Sequence, residues 1–222
     1  MLIVLEGLDG AGKSTQLKML CSYLEQSGRK LKYLHFPRYE AAPFGDMISN
    51  FLKGEYGDNE QVHPQLVALL FAEDRHAAAE QINGWLDEGY TVVLDRYVYS
   101  NIAFQTAKVK DPEKAKNLRE WIFDLEYNTF KIPKPDLNLF LDVPIDFVES
   151  ELRHERSGSD RDYLEGKQDI HEADIEFQKK VRAVYRECCE KDSNFIRIDC
   201  ADPETGAILP PQPIFEMIKR KL

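Results

Sequence analysis

The chain is short of positive charge. Among 222 residues, 29 Lys and Arg stand against 39 Asp and Glu, a formal net charge of −10. A surface that binds nucleic acid needs a basic face, so that function class is excluded as an expectation. One pocket can still be locally positive on an acidic protein. Long apolar runs are also missing. The longest, Leu66 to Ala72, is far too short to cross a bilayer. The opening apolar run stops at Glu6 and no basic segment precedes it, so no signal peptide is expected. Cysteine is scarce: Cys21, Cys188, Cys189 and Cys200 form no C-x-x-C pair and have no companion His spacing. That argues against a zinc site and for free thiols in a reducing cytoplasm. Internal repeats and a second-domain boundary are absent. At 43% hydrophobic content, residues 1–222 make one domain that buries roughly 70–75% of its unfolded surface.

What is present is concentrated first in residues 7–15. Gly7, Gly12, Lys13 and Ser14 satisfy the G-x-x-x-x-G-K-[ST] spacing in full, between a buried strand (Leu2 to Leu5) and an amphipathic helix. Glycines at Gly7, Gly10 and Gly12 let backbone N–H groups turn inward on a phosphate, with Ala11 and Thr15 completing the turn. The helix that follows adds its free N–H groups and the positive end of its dipole. Lys13 is placed to put a cation on the β- and γ-phosphates, and Ser14 a hydroxyl on Mg²⁺. The loop therefore predicts nucleotide binding. An Asn-Lys-x-Asp guanine motif is missing, which argues against a GTP-dependent switch.

Downstream, a helix runs from Lys13 to about Ser27 and a second strand from Leu31 to Phe36. Pro37 then pushes the chain into a loop carrying Arg38, either an anion ligand or a solvated loop arginine. A helical pattern spans Pro64 to Glu88, with Leu66, Leu69, Leu70, Ile82 and Leu86 expected to face the core. Phe71 and Arg75 share one face at i, i+4. They suit a base pocket, although Phe71 fits a core position equally well. Thr91 to Leu94 reads as a buried strand ending in Asp95-Arg96-Tyr97. There the carboxylate would help Ser14 hold Mg²⁺, partly through water, and Arg96 could bridge phosphates. A helix starts at Asp111-Pro112 with Leu118, Trp121, Ile122 and Leu125 inward, and Leu137 to Leu141 is a fourth strand. Another helix starts near Pro144, followed by Ile175 to Glu190 as helix, Phe195 to Ile198 as the last strand and a short helix in the tail. From about residue 151 to 172 the periodicity collapses into a cation-rich segment, expected to be a flexible lid. The fold class is α/β: a P-loop NTPase fold with a five-stranded parallel sheet flanked by helices.

These residues together resemble the thymidylate kinase (dTMP kinase) family over nearly the whole chain. The resemblance rests on Leu5-Glu6-Gly7-Leu8-Asp9 running into Gly12-Lys13-Ser14-Thr15-Gln16, on Phe36-Pro37-Arg38, and on Leu70-Phe71 with Arg75. Asp95-Arg96-Tyr97 with Ser100, Pro135-Asp136-Leu137, Leu141-Asp142-Val143 and the arginine-bearing lid complete it. It implies phosphoryl transfer from MgATP to thymidine 5′-monophosphate, and a cytoplasmic homodimer in which the long helix from Pro64 supplies a contact surface. Carried over by position, Asp9 would contact the acceptor sugar, and Arg38 and Arg96 its phosphate. Phe71 would stack on thymine, Arg75 would bond its carbonyl, and Phe36, Ser100, Asn101 and Gln105 would line the rest of the base site. Many relatives carry an arginine in the phosphate loop where this chain has Gly10. The compensating catalytic cations are expected from Arg153, Arg156 and Arg161 in the lid. The family's Asp-Arg-x-Glu lid motif appears here as Asp169-Ile170-His171-Glu172, without the arginine.

Overall fold

The computed structural model describes residues 1–59, 61–153, 164, 169–172 and 174–222. Five parallel strands form its centre: β1 (Leu2–Gly7), β2 (Leu31–His35), β3 (Thr91–Asp95), β4 (Leu137–Asp142) and β5 (Phe195–Asp199). Their order is β2-β3-β1-β4-β5, so the chain reverses direction across the sheet at β1. In such a sheet the crevice beyond the strands' carboxyl ends is where ligands bind. The central strands are covered on both faces, which is why they read as unbroken apolar runs: Leu2 to Leu5 and Val92 to Leu94 are all buried.

The helices are α1 (Lys13–Gln26), α2 (Phe44–Leu52), α3 (Pro64–Asp87), α4 (Val98–Thr106), α5 (Pro112–Phe123), α6 (Ile145–Arg153), α7 (Ile175–Lys191) and α8 (Pro211–Lys219). A π-helical turn, Asp124–Thr129, continues α5. Local chemistry fixes several starts. Asp111 accepts from the N–H groups of Glu113 and Lys114 ahead of Pro112, and Asp174 accepts from Glu176. The α4 start is capped from a distance. Its first residues have no local side-chain cap, and instead Glu6 Oε1 on β1 accepts from Tyr97 N at 2.9 Å and Ser100 N at 3.2 Å.

One expected core face is corrected. On α3, Leu66 is 63% exposed and Leu69 is exposed as well, while Val67, Ala68, Ala72, Ala78, Ala79 and Ile82 are buried. Ile82 is buried and Leu70 and Leu86 pack partly buried against the core as expected, but Leu66 and Leu69 point outward and Ala68, Ala72, Ala78 and Ala79 fill the inward stripe, letting α3 lie close to its neighbours. Helices α2 and α4, which the sequence reading did not assign, flank α3, although Phe44, Met47, Ile48, Phe51 and Leu52 give α2 a clear helical spacing. A satellite cluster of Ile48, Phe51, Leu52 and Val67 joins α2 to α3, with Phe71 packed against it. Gly45 permits the close approach of α2 to the loop after β2, because a Cβ there would lie 2.3 Å from the Arg38 carbonyl oxygen.

Candidate active site

The phosphate loop lies at the carboxyl end of β1. Gly10 and Gly12 both adopt φ 73°, and Gly12 opens α1 without a side-chain cap, so the first N–H groups of the helix face the cleft. Gly7 is tight for another reason: a Cβ there would meet the side chains of Ala11 and Lys13 at 3.3 and 3.4 Å. Lys13 curls back over the loop, donating to the Leu8 carbonyl at 2.9 Å. Burial, helped by the neighbouring Arg96 charge, pulls the Lys13 ammonium down to about 8 against the pull of Asp95, Asp9 and Glu6.

Asp95 and Arg96 stand at the tip of β3, next to β1. Arg96 N donates to the Leu5 carbonyl, and Arg96 is held at φ 65°, a left-handed conformation that side chains rarely adopt. Such a residue persists only where its surroundings over-determine it. Here its guanidinium donates to the Gly7 carbonyl at 2.8 Å, to Ser100 Oγ at 3.1 Å and to Asp9 Oδ1 at 2.5 Å. Ser100 Oγ is itself held by Glu6 Oε2 at 2.5 Å and lies 2.8 Å from the Tyr185 hydroxyl. Burial raises the Glu6 carboxyl, with the bonds from Ser100 and Tyr97 working against it. Burial pushes Asp9 up, but Arg96 and Lys13 outweigh it and leave that carboxyl below its usual range. Asp95 is buried, and its Oδ1 has no hydrogen-bond partner among the described residues. An orphaned carboxylate oxygen in a cleft that Ser14 also lines suits a hard cation bound together with phosphates. Among the described residues no cluster of three or more His, Cys, Asp or Glu could hold a metal alone.

Two depressions meet at this point. The outer cleft is lined by residues 9–15, by 37–41 after β2, and by Asp95, Arg96, Glu151 and Glu172. The inner pocket brings together Asp9, Phe36, Phe71, Arg75, Arg96, Ser100, Asn101 and Gln105. Asp9, Pro37, Tyr39, Arg96 and Glu172 belong to both, and of these Asp9 and Arg96 form an ion pair. Phe71 is pocket wall and packing residue at once, meeting Phe51 edge-on at 6.5 Å. Arg75 is buried and clamped by Glu126, whose Oε2 and Oε1 lie 2.5 and 2.7 Å from its Nε and Nη2. Burial alone would lower the Arg75 guanidinium; the Glu126 charge and hydrogen bond more than reverse that, so it stays charged. Asn101 spends its amide N–H groups on the Ala68 carbonyl and on Glu126, and its Oδ1 and the buried Gln105 Oε1 have no partner among the described residues.

Other sequence expectations fare differently. Arg38 lines the outer cleft and is locked to Asp74, with its Nε 2.9 Å from Oδ1 and its backbone N–H 2.9 Å from Oδ2. Arg153, at the end of α6, is 77% exposed, pairs with Glu149 on its own helix and lines neither depression. Arg156 and Arg161, with most of the expected lid, lie outside the described residues. The sequence reading missed Glu126, Glu6, Tyr185 and Gln178, partners that reach the site across long stretches of chain. None of them carries a local sequence signal; Glu126 sits in a π-helical turn, which shows only once the chain is folded. Phe104 and His171 also line the pocket, with rings 5.1 Å apart. Burial and the Lys108 charge hold the His171 imidazole well below its usual range.

Comparison with known proteins agrees with this geometry. A family model described as thymidylate kinase matches residues 5–207. The thymidylate kinase of Mycobacterium tuberculosis is 38% identical over 189 residues, covering 84% of this chain and 85% of that one. That of Plasmodium falciparum is 35% identical over 199 residues, covering 89% and 80%. Among solved structures, thymidylate kinase from Candida albicans superposes with a TM-score of 0.73 at 26% identity, covering 99% of this chain and 89% of that one.

Proposed function

Because the chain belongs to the thymidylate kinase family and phosphorylates dTMP from ATP to give dTDP for dTTP synthesis, we propose how its two depressions divide that work. ATP occupies the outer cleft and dTMP the inner pocket, so the phosphoryl group passes where they meet, at Asp9 and Arg96. The observation that carries this reading is that these two side chains line both depressions and bond each other.

The loop residues Gly7, Gly10, Ala11, Gly12, Lys13, Ser14 and Thr15 cradle the triphosphate. Ser14 and Asp95 would hold Mg²⁺, partly through water; when bound it neutralises charge building on the phosphate oxygens. Lys13 and Arg96 supply fixed positive charge at the transferring group. No covalent intermediate is required, because phosphoryl transfer is chiefly positioning and charge stabilisation. In the inner pocket Phe71 stacks on the base and Arg75, fixed by Glu126, donates to a ring carbonyl. The unpartnered oxygens of Asn101 and Gln105 suit the N3–H of thymine. Cytosine presents an acceptor at that position, and two acceptors facing each other reject it. Asp9 takes the sugar hydroxyl, while Phe36, Ser100 and Arg38 complete the acceptor side.

The cation-rich segment 151–172 is assigned the lid on sequence, and the exposed Leu66 and Leu69 of α3 are assigned to a homodimer contact. The reading places the enzyme in the cytoplasm; among the described residues no helix is long and apolar enough to cross a membrane. The test is turnover of dTMP with ATP beside dUMP, dCMP, dAMP and dGMP, in the wild type and in Arg96→Ala. Strong preference for dTMP is expected, with kcat lower by roughly 10²–10³ in the variant. Near-normal kcat in folded Arg96→Ala would remove the shared pair from the chemistry.

A further inference from the structure

Gln178, on α7, is fully buried and joins two parts of the site with one amide group. Its Nε2 donates to Asp9 Oδ2 at 2.9 Å and to the His171 carbonyl oxygen at 2.9 Å. Asp9 has its other oxygen on Arg96, so its carboxylate is clamped between a guanidinium and an amide and cannot rotate. At its second contact the amide ties down the segment 169–172, which walls the inner pocket with Asp169, His171 and Glu172. That segment is held elsewhere by Ile170 N on the Leu52 carbonyl and by the His171 ring among Phe51, Phe104 and Phe177. Gln178 Oε1 is buried with no partner among the described residues. A leucine would fill the space without a stranded amide oxygen but would take the donor from Asp9 Oδ2 and the His171 carbonyl, so packing alone does not explain a glutamine here. What the position uses is the donor.

We propose that Gln178 is a positioning residue for the acceptor nucleotide: it fixes the Asp9 carboxylate and couples it to the pocket wall at His171. The proposal rests on the reading of Asp9 as an acceptor ligand. It predicts a loss confined to one substrate. In Gln178→Leu the KM for dTMP should rise about tenfold, as for one lost hydrogen bond to a charged group, with kcat and the KM for ATP within about twofold of wild type.

Gln178→Glu supplies a readout that a packing role would not move. Protonated, the new carboxyl can still donate to Asp9; ionised, it places a second negative charge against it. The ratio of variant to wild-type KM for dTMP should therefore climb between about pH 5.5 and 8, whereas a packing defect leaves it flat. Taking the ratio cancels the titration of dTMP itself. Asp9→Asn separates the two layers of the argument. If it leaves the KM for dTMP unchanged, the acceptor reading of Asp9 fails and this inference falls with it. If it raises that KM while Gln178→Leu leaves it within twofold, the inference about Gln178 alone is wrong. An equal loss for both substrates in Gln178→Leu also overturns it, and should that variant not fold, the pH dependence of the Gln178→Glu ratio decides.

Discussion

At the scale of single residues, the site is built from charges that have given up their water. Lys13 is drawn down to about 8 by burial and by Arg96, so the free enzyme loses this cation at a pH where an exposed lysine keeps it. The kcat/KM for ATP reports the free enzyme and should fall as pH rises through about 8. The kcat limb should lie higher, because a bound triphosphate stabilises the ammonium. The stability linkage has the opposite sense. Between about 8 and 10.5 the unfolded chain holds a proton at Lys13 that the folded chain has released, so this residue's contribution to stability rises with pH across that window. Lys13→Met should remove the alkaline limb, keep the fold and lower kcat by roughly 10²–10³. Retained turnover in the folded variant would contradict the assignment. Phe71 makes a separate case, because it both lines the pocket and packs on Phe51. Phe71→Ala should weaken dTMP by roughly 1–3 kcal/mol through lost stacking while ATP binds as before. Calorimetric titration with each nucleotide checks this, and equal weakening of both would make Phe71 a packing residue only.

Whole elements are placed by features that differ in how far they show in sequence. The phosphate loop, the Asp95-Arg96 strand tip and the Phe71/Arg75 pair were legible because each is a local spacing, and the structure gathers them around one cleft. The inward face of α3 was legible only in part: Leu70, Ile82 and Leu86 pack inward as expected. Hydrophobic size points to Leu66 and Leu69, but close helix packing selected alanines. Nor could spacing reveal Glu126 beneath Arg75, or Glu6 capping α4 from β1, since those partners meet only after the sheet has formed. The approach of α2 to the Arg38 loop is of this kind and can be tested with one methyl group. In Gly45→Ala the added carbon cannot be accommodated 2.3 Å from a backbone oxygen, so α2 must move off the loop. Overpacking of this sort costs roughly 1–3 kcal/mol, or about 2–12 °C in Tm for a chain of this length. The same shift should raise the KM for dTMP, because Phe36 and Tyr39 come from that loop. Gly84→Ala is the matched control. Its methyl meets nothing within 4 Å inside α3, and better helix propensity should raise Tm by about 2–4 °C. A stable Gly45→Ala protein with normal kinetics would show that the loop and α2 are not rigidly coupled.

For the molecule as a whole, an enzyme with net charge −10 must join two polyanions at one point. The arginines described there are each paired with a carboxylate, Arg96 with Asp9, Arg38 with Asp74 and Arg75 with Glu126, while Lys13 donates to the backbone of its own loop. Gly10 adds no charge. We propose that further charge to offset the repulsion between donor and acceptor phosphates comes from the arginines of residues 151–172. Arg153 is exposed and paired with Glu149 along α6. Arg153→Ala alone should change kcat by no more than a few-fold. The triple substitution of Arg153, Arg156 and Arg161 by Ala should approach the loss typical of a missing arginine finger, roughly 10³–10⁵ in kcat with both substrates saturating. Affinity for dTMP should change little, because the inner pocket keeps its own arginines. Adding Gly10→Arg to the triple variant should restore part of the rate, by returning a cation to the phosphate loop. A triple variant that keeps kcat within a few-fold of wild type would make the segment a cover without a charge role, and would leave Arg96 and Lys13 to carry the transfer unaided.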